Sequence, residues 1–327
     1  MTKSKKKLVV VDADTLVFRS AAVSEERKVN VKHLPSGRER IYKNRTEFKS
    51  AMKEKNFEIK PEDFEYEDIQ EEQPIEYCLH TIKMQTDAIL ERFKDSYVVF
   101  VAGDSNNFRL DLQLPKRYKS NRDSMLRPVH LAKAKEYFID KYKAVSADGY
   151  EADDLTMILA YEGLKAGKDS YLLSPDKDAQ QAIGLKLWDY TKPDSEVITI
   201  KEWHPAQLND KKEFKSYGIP WICFQWINGD LSDGFSAKAL AGKKIGDVGF
   251  YDMFKDCKSP RDNLQIVVNW FKESFGESFN YTDWQGNLVE TDWKGVMNLY
   301  YKCCKMKSYE NDSLDCFELL NRYGVSV

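Results

Sequence analysis

Glu151, Asp153 and Asp154 put three carboxylates within four residues, at the predicted start of a helix running from Asp153 to about Lys165. Carboxylates this close repel one another, and an uncompensated cluster raises some of their pKa values. A helix N-terminus offsets part of that cost. A hard divalent cation such as Mg²⁺ or Mn²⁺, which takes oxygen ligands, removes the rest. Glu151 and Asp154, three apart, share a helix face. By itself the triplet reads equally as an acidic cap on a solvated helix or as half of a metal site.

More carboxylates occur where strands are expected to end. Leu8–Val11 is a short β-branched run of the kind buried on both faces of a parallel sheet, and it meets Asp12. Tyr97–Ala102 is a second such strand and ends at Gly103-Asp104; Ser170–Ser174 is a third and leads to Asp176 and Asp178. Helical periodicity fills Ile75–Phe93 and Val129–Tyr142, a helix-compatible stretch follows Asp14 as far as Ala22, and short strands are expected at 144–146, 185–190 and 196–200. Strands alternating with helices predict an α/β fold with a largely parallel, Rossmann-like sheet flanked by helices. Sites in such sheets form beyond the carboxyl ends of the strands. Asp12, Asp104 and Asp176 would thus meet Glu151 and its neighbours at one edge.

The 327 residues allow two domains or one elaborated domain; 42% hydrophobic content supports a core and 31% charge a soluble chain. The net charge of −3 hides 50 basic against 53 acidic residues, so it neither requires nor excludes a nucleic-acid partner. Six cysteines without C-x-x-C spacing and four scattered histidines argue against zinc and for free thiols in a reducing cytoplasm. The basic start, Lys3–Lys7, leads into a strand rather than an export signal, and no apolar run approaches a membrane span. Residues 24–72 are charged and read as an insertion, a solvated loop partly helical around Thr46–Glu54. After about Trp203 the pattern turns helical: Ile219–Asn228 is apolar and ends at Asn228–Gly234, which holds Asp230 and Asp233. Phe235–Leu240, a glycine-containing turn at 242–249 with Lys243 and Lys244, and Phe250–Phe254 follow. The last 70 or so residues offer no readable site beyond a possible hairpin at 283–287.

Asp12, Asp104, Glu151, Asp153, Asp154, Asp176, Asp178, Asp230 and Asp233 are nine carboxylates unaccompanied by histidine or cysteine. That donor set suits Mg²⁺ or Mn²⁺, expected as two ions that turn water into a nucleophile for in-line attack at phosphorus. A phosphodiester also needs protein cations. Lys116, Arg117, Lys119 and Arg122 supply four around Tyr118. Were this loop helical, Lys119 and Arg122 would share a face toward the phosphate while Tyr118 stacked on a terminal base.

The ordered set resembles the 5′→3′ exonuclease/flap-endonuclease family with a PIN-like nuclease core, above all the 5′ exonucleases of tailed bacteriophages. The pieces are Val11-Asp12 with Leu16, Gly103-Asp104 with Arg109, Tyr118–Arg122, Glu151–Asp154, Ser174–Asp178 and Gly229–Gly234, in order over residues 8–255. The resemblance implies a catalytic ion held by Asp12, Asp104, Glu151 and Asp153, and a second held by Asp154, Asp176, Asp178, Asp230 and Asp233. It implies a helical arch carrying Lys119 and Arg122, through which a 5′ end or flap passes, and a helix-turn-helix after Asp233 that grips duplex DNA by its backbone. The domains would be a core over 1–205, with the insertion at 24–72 and the arch at 106–127, and a mainly helical DNA-binding region over 206–327. Gly234, Gly242, Gly246 and Gly249 do not keep the family's hairpin spacing, which weighs against a bound K⁺ there. The expected enzyme is a monomeric phage nuclease of the host cytoplasm, acting on DNA and on RNA primers paired with DNA, in replication or recombination.

Two other readings compete. In a haloacid-dehalogenase-type phosphatase Asp12 would be the nucleophile and Asp14 the acid/base, but Asp104, Glu151, Asp153, Asp154, Lys119 and Arg122 would have no role. A catalytically inactive nucleic-acid-binding module would have little reason to keep nine acidic groups.

Overall fold

The computed structural model describes residues 7–103, 106–123 and 125–327. The chain forms two compact units, one of Met1–Thr15, Ile89–Leu126 and Tyr142–Val327, the other of Leu16–Ala88 and Arg127–Lys141. Residues on both sides of the expected boundary at 205 therefore belong to the first unit.

The chain begins with β1 (Lys7–Asp12) and α1 (Asp14–Ala22), then β2 (Glu25–His33), β3 (Arg38–Tyr42), α2 (Arg45–Glu54), β4 (Phe64–Glu72) and α3 (Ile75–Arg92). It continues through β5 (Ser96–Ala102), α4 (Leu131–Tyr142), β6 (Val145–Ser146), α5 (Ala152–Lys165), β7 (Asp169–Leu173), β8 (Lys186–Trp188) and β9 (Ile198–Thr199). The first unit is organised by a six-stranded sheet in the order β6-β5-β1-β7-β8-β9, parallel except for β9. Strand β1 is its axis: Val9, Val10 and Val11 are wholly buried, as a central strand covered on both faces requires. Its neighbours are in register, with Val11 opposite both Phe100 and Leu173. Asp12 and the chain after β7 consequently leave the sheet at one level. The sheet also diverges there, because β5 lies on one side of β1 and β7 on the other, and such a switch point opens a crevice.

In the second unit the expected solvated loop at 24–72 is instead a three-stranded antiparallel sheet, β3-β2-β4, with α2 against it. Sparse alternation is enough to build it. Val29, Val31 and Tyr42 point to one face and close around Phe48 of α2, whose ring lies 5.1 Å from Phe64 and 5.8 Å from Tyr66. The charges that made the stretch look like a loop occupy the other face in cross-strand pairs such as Lys28–Glu71 and Lys32–Glu39.

The remainder of the first unit is mainly helical. A small pair, β10 (Gln207–Leu208) and β11 (Phe214–Lys215), precedes α6 (Ile219–Asn228), α7 (Ala237–Leu240), α8 (Asp247–Phe254) and α9 (Pro260–Phe275). The hairpin β12 (Phe279–Thr282) and β13 (Leu288–Thr291), then α10 (Trp293–Cys304) and α11 (Cys316–Arg322), complete it. Helix α6 is buried on every side, and Trp226, Phe271, Met297 and Leu320 belong to the core around it. The glycine turn expected to run to 249 is shorter, because α8 already starts at Asp247. The helical arch expected at 106–127 is not seen among the described residues. That stretch holds two short 3₁₀ turns, Phe108–Asp111 and Ser120–Arg122, and is pinned by Tyr118 and Leu114 in the core. All six cysteines are free thiols, five of them buried. Among the described residues no helix is long and apolar enough to cross a membrane.

Candidate active site

Among the described residues, four segments carry acidic side chains to the carboxyl edge of the sheet: the end of β1, the start of α5, the chain after β7 and the turn after α6. Asp104 lies outside the described residues. Asp12 is 3% exposed; its carboxylate accepts from Ser174 Oγ at 3.1 Å and from the Asp14 amide at 3.1 Å. Burial, then the Asp14 and Asp176 charges, push its carboxyl up to about 7. Asp153 lies well above the usual carboxylate range, first by burial and then by the charges of Asp12, Asp176 and Glu151. Asp178 is raised in the same way, by burial and by Asp176, Asp230 and Asp233. Asp176 acts on both groups, so one acidic field runs from Asp12 to Asp233.

The turn that carries Asp230 and Asp233 is tight. The amide of Asp230 and the amide of Phe235 each donate to the other residue's carbonyl, at 2.9 and 3.1 Å. Gly229 has φ 73°, and a Cβ there would stand 2.1 Å from the Phe235 carbonyl oxygen, so the turn admits only glycine. Lys177 pairs with Asp230 at 2.8 Å. Burial raises Asp230, but the Lys177 and Ser232 hydrogen bonds prevail and lower it.

Lys119 and Arg122 do reach this field. Lys119 Nζ pairs with Glu151 and lies 3.9 Å from Asp233, and Arg122 pairs with Asp233. Lys119 has φ 58°, a left-handed conformation costly for a side-chain-bearing residue, and its amide donates to the Asp233 carbonyl at 2.8 Å. Lys116 is exposed and Arg117 pairs with Asp123. Lys243 lies over the Trp270 ring at 5.1 Å, and Lys244 is exposed in the α7–α8 turn.

Two side chains are placed differently from expectation. Tyr118 is 3% exposed, stacked on Phe235, with its hydroxyl donating toward Asp233 at 2.9 Å and Glu151 at 3.0 Å. An aromatic between cations reads as a base platform, yet here its ring is core and cannot meet a base. Tyr118→Phe should therefore leave DNA affinity unchanged and cost roughly 1.5–3 kcal/mol of stability in urea unfolding, the range for hydrogen bonds to charged groups. Weaker binding with unchanged stability would restore the stacking role. Asp154 is wholly buried and faces Arg109, whose guanidinium grips it at 2.6 and 3.1 Å. Burial raises Asp154, but the Arg109 charge and hydrogen bonds win and lower it. Its Oδ2 also accepts from the Glu151 amide at 3.3 Å, a capping box at the start of α5. Asp154 thus holds the helix end and is not turned to Asp178, Asp230 and Asp233.

Arg109, for which the sequence offered only its place in a motif, proves to be the buried hub of the site. The C-terminal segment near 303–307, which showed no site, touches it through main-chain atoms. Backbone contacts leave no side-chain signature, so nothing in the sequence marked them.

The donor set is wholly oxygen, crowded and short of counter-charge at Asp12, Asp153 and Asp178, which suits a hard divalent cation. Among the described residues, no three such groups are already arranged to hold one.

Known proteins resemble this chain in part. A thermostable DNA polymerase I of Thermus filiformis is 31% identical over 103 residues, 31% of this chain and 11% of the polymerase. A 5′-3′ exonuclease of Buchnera aphidicola is 29% identical over 184 residues, 55% of this chain. The match spans 62% of that exonuclease, so in both relatives less than two thirds is covered. Among solved structures, a T5 5′-exonuclease mutant superposes with a TM-score of 0.46 at 12% identity, over 98% of this chain and 96% of its own. A bacteriophage T5 flap endonuclease in a pseudo-enzyme–product complex with DNA and metal ions gives 0.44 at 15%, over 81% and 78%. Likenesses that loose carry no argument about function. The family model for the 5′-3′ exonuclease N-terminal, resolvase-like domain matches residues 50–213, half of the chain, and the chain belongs to that family.

Proposed function

We propose that the protein is a divalent-metal-dependent 5′→3′ exonuclease and structure-specific 5′ (flap) endonuclease that hydrolyses phosphodiester bonds in DNA, and in RNA primers paired with it. The observation that carries this reading is the meeting of Asp12, Glu151, Asp153, Asp176, Asp178, Asp230 and Asp233 with Lys119 and Arg122 at one sheet edge. Asp12, Asp104, Glu151 and Asp153 would hold one Mg²⁺ or Mn²⁺, and Asp176, Asp178, Asp230 and Asp233 a second. Bound there, the cations would supply an activated water and neutralise charge at phosphorus. A phage replication or recombination role, in the bacterial cytoplasm and as a monomer, is part of the same proposal.

The chain's own residues bind and orient. Lys119 and Arg122 now neutralise Glu151 and Asp233; a scissile phosphate would take over their N–H donors as charge-assisted acceptors. The turn from α7 to α8, with Lys243 and Lys244, would hold duplex backbone, a sequence-independent contact.

A 5′-labelled duplex and a 5′ flap incubated with Mg²⁺, beside a small phosphate monoester, test the reading. Metal-dependent loss of 5′ nucleotides or of the flap is expected. Turnover of the monoester alone would favour the phosphatase, in which Asp14 is the acid/base. In this structure Asp14 accepts from the Gly103 amide at 2.9 Å. Lys119→Ala should lower the single-turnover rate about 10²-fold, as loss of one transition-state donor does, while duplex Kd changes far less. An equal loss in both would reduce Lys119 to a phosphate anchor.

A further inference from the structure

Five consecutive residues at the end of α10 and just beyond it each give one main-chain group to a side chain that serves the acidic site. The Cys303 carbonyl accepts from Arg109 Nε at 3.2 Å and the Lys305 carbonyl from Arg109 Nη2 at 2.8 Å. The Cys304 carbonyl accepts from Gln181 Nε2 at 3.0 Å, while the Met306 amide donates to Gln181 Oε1 at 2.9 Å. The Lys307 amide donates to Asp154 Oδ1 at 2.9 Å. The partners belong to three segments. Arg109 grips Asp154 and reaches Glu151 Oε2 at 3.1 Å. Gln181 closes the 3₁₀ turn Lys177–Gln181, which opens with Asp176 and contains Asp178. Asp154 caps α5, which contains Asp153.

We propose that Cys303–Lys307 is a main-chain splint for the acidic site, with Arg109 and Gln181 as the positioning residues through which it acts. The proposal rests on the metal-dependent nuclease reading above. Arg109 is 2% and Gln181 1% exposed, so neither can touch a substrate. Every N–H group of the Arg109 fork that bonds here faces either a carboxylate or a splint carbonyl, which fixes the plane in which Glu151 is presented. Gln181 does the same for the Asp176–Asp178 turn, using both ends of one amide. The two sets of carboxylates, far apart in sequence, are thereby tied to one short stretch of backbone. Residues that orient metal-binding groups without touching the ion are worth about 10- to 100-fold in metal affinity or activity when lost.

The test uses the full-length protein and its Arg109→Lys and Gln181→Leu variants, with Mn²⁺ as probe in the absence of DNA. Arg109→Lys keeps the charge and loses the fork; Gln181→Leu keeps the volume and loses both hydrogen bonds. Each is expected to weaken Mn²⁺ binding and lower kcat by about 10- to 100-fold. KM for DNA should be unchanged, and amide hydrogen exchange should accelerate at Met306 and Lys307. Val267→Ala, in the buried face of α9, loosens the same core but takes part in none of the five splint hydrogen bonds, and should leave Mn²⁺ affinity and kcat as they were. Wild-type Mn²⁺ affinity and kcat in the two positioning variants would overturn the proposal, as would an equal loss in Val267→Ala. If Arg109→Lys does not fold, Gln181→Leu alone decides. A wild-type protein that neither binds Mn²⁺ nor cuts DNA would overturn the nuclease reading itself, and this inference with it.

Discussion

Asp153→Ala is expected to reduce cleavage on the order of a thousandfold or more while leaving DNA affinity within a few-fold and metal-free stability undiminished. The first part follows from the proposed ligand role. Metal stabilisation of developing charge contributes several kcal/mol, and each 1.4 kcal/mol is a factor of about ten in rate. The second follows from charge, because affinity for a polyanion comes from basic surface, which Asp153 does not supply. The third follows from the geometry. Asp153 is a desolvated carboxyl facing Asp12, Asp176 and Glu151, so its removal relieves repulsion instead of breaking a favourable contact. Activity lost with stability retained or raised is the mark of a group kept for function. Single-turnover cleavage, duplex binding and urea unfolding in EDTA read the three parts. Surviving cleavage would take Asp153 out of the site; a large drop in stability would make it structural.

How much of this was legible in the sequence depended on which physical signal each part leaves. The central sheet was legible because a strand buried on both faces must be an unbroken apolar run, as at Leu8–Val11 and Tyr97–Ala102. The strand-end aspartates followed, since a carboxylate next to such a run must lie at the sheet edge. The 24–72 region was misread because its sheet buries one face only, with a core of little more than Val29, Val31, Tyr42 and Phe48. Its alternation was diluted by charges that pair across strands. The arch was misread for the opposite reason: Lys119 and Arg122 at i, i+3 fit a helix, but Tyr118 and Leu114 tether the loop to the core. The division of labour inside Glu151–Asp154 was out of reach. It is set by Arg109, forty-odd positions away, and by carbonyls of the C-terminal segment. Asp154 turns toward Arg109, while Asp153, its neighbour, turns to Asp12 and Asp176.

The same crowding predicts how stability depends on pH and metal. The carboxyl of Asp12 has an unfolded value near 3.8 and a folded value of about 7. The folded state therefore holds this proton more tightly, and unfolding releases it between those two values. Stability from this group is full below about pH 4, declines by about 1.4 kcal/mol per pH unit above that, and is gone by pH 7. The total is on the order of 4 kcal/mol for Asp12. Asp153 and Asp178, raised by burial and by their acidic neighbours, steepen the decline. Asp154 and Asp230, lowered against their own burial by Arg109 and Lys177, have the opposite sign: their contribution is present above pH 4 and fades below it. In EDTA the protein should thus be most stable in mildly acidic solution and lose stability steadily from pH 5 to pH 7.5. Saturating Mg²⁺ should abolish or reverse that slope, because the ion competes with protons for the same oxygens and binds better as they leave. Urea midpoints at pH 5, 6, 7 and 7.5, with EDTA and with Mg²⁺, give the comparison. A midpoint in EDTA that is flat or rises over this range would mean that the carboxylates are already compensated by Lys119, Arg122 and Lys177, leaving no deficit of charge for a metal to fill.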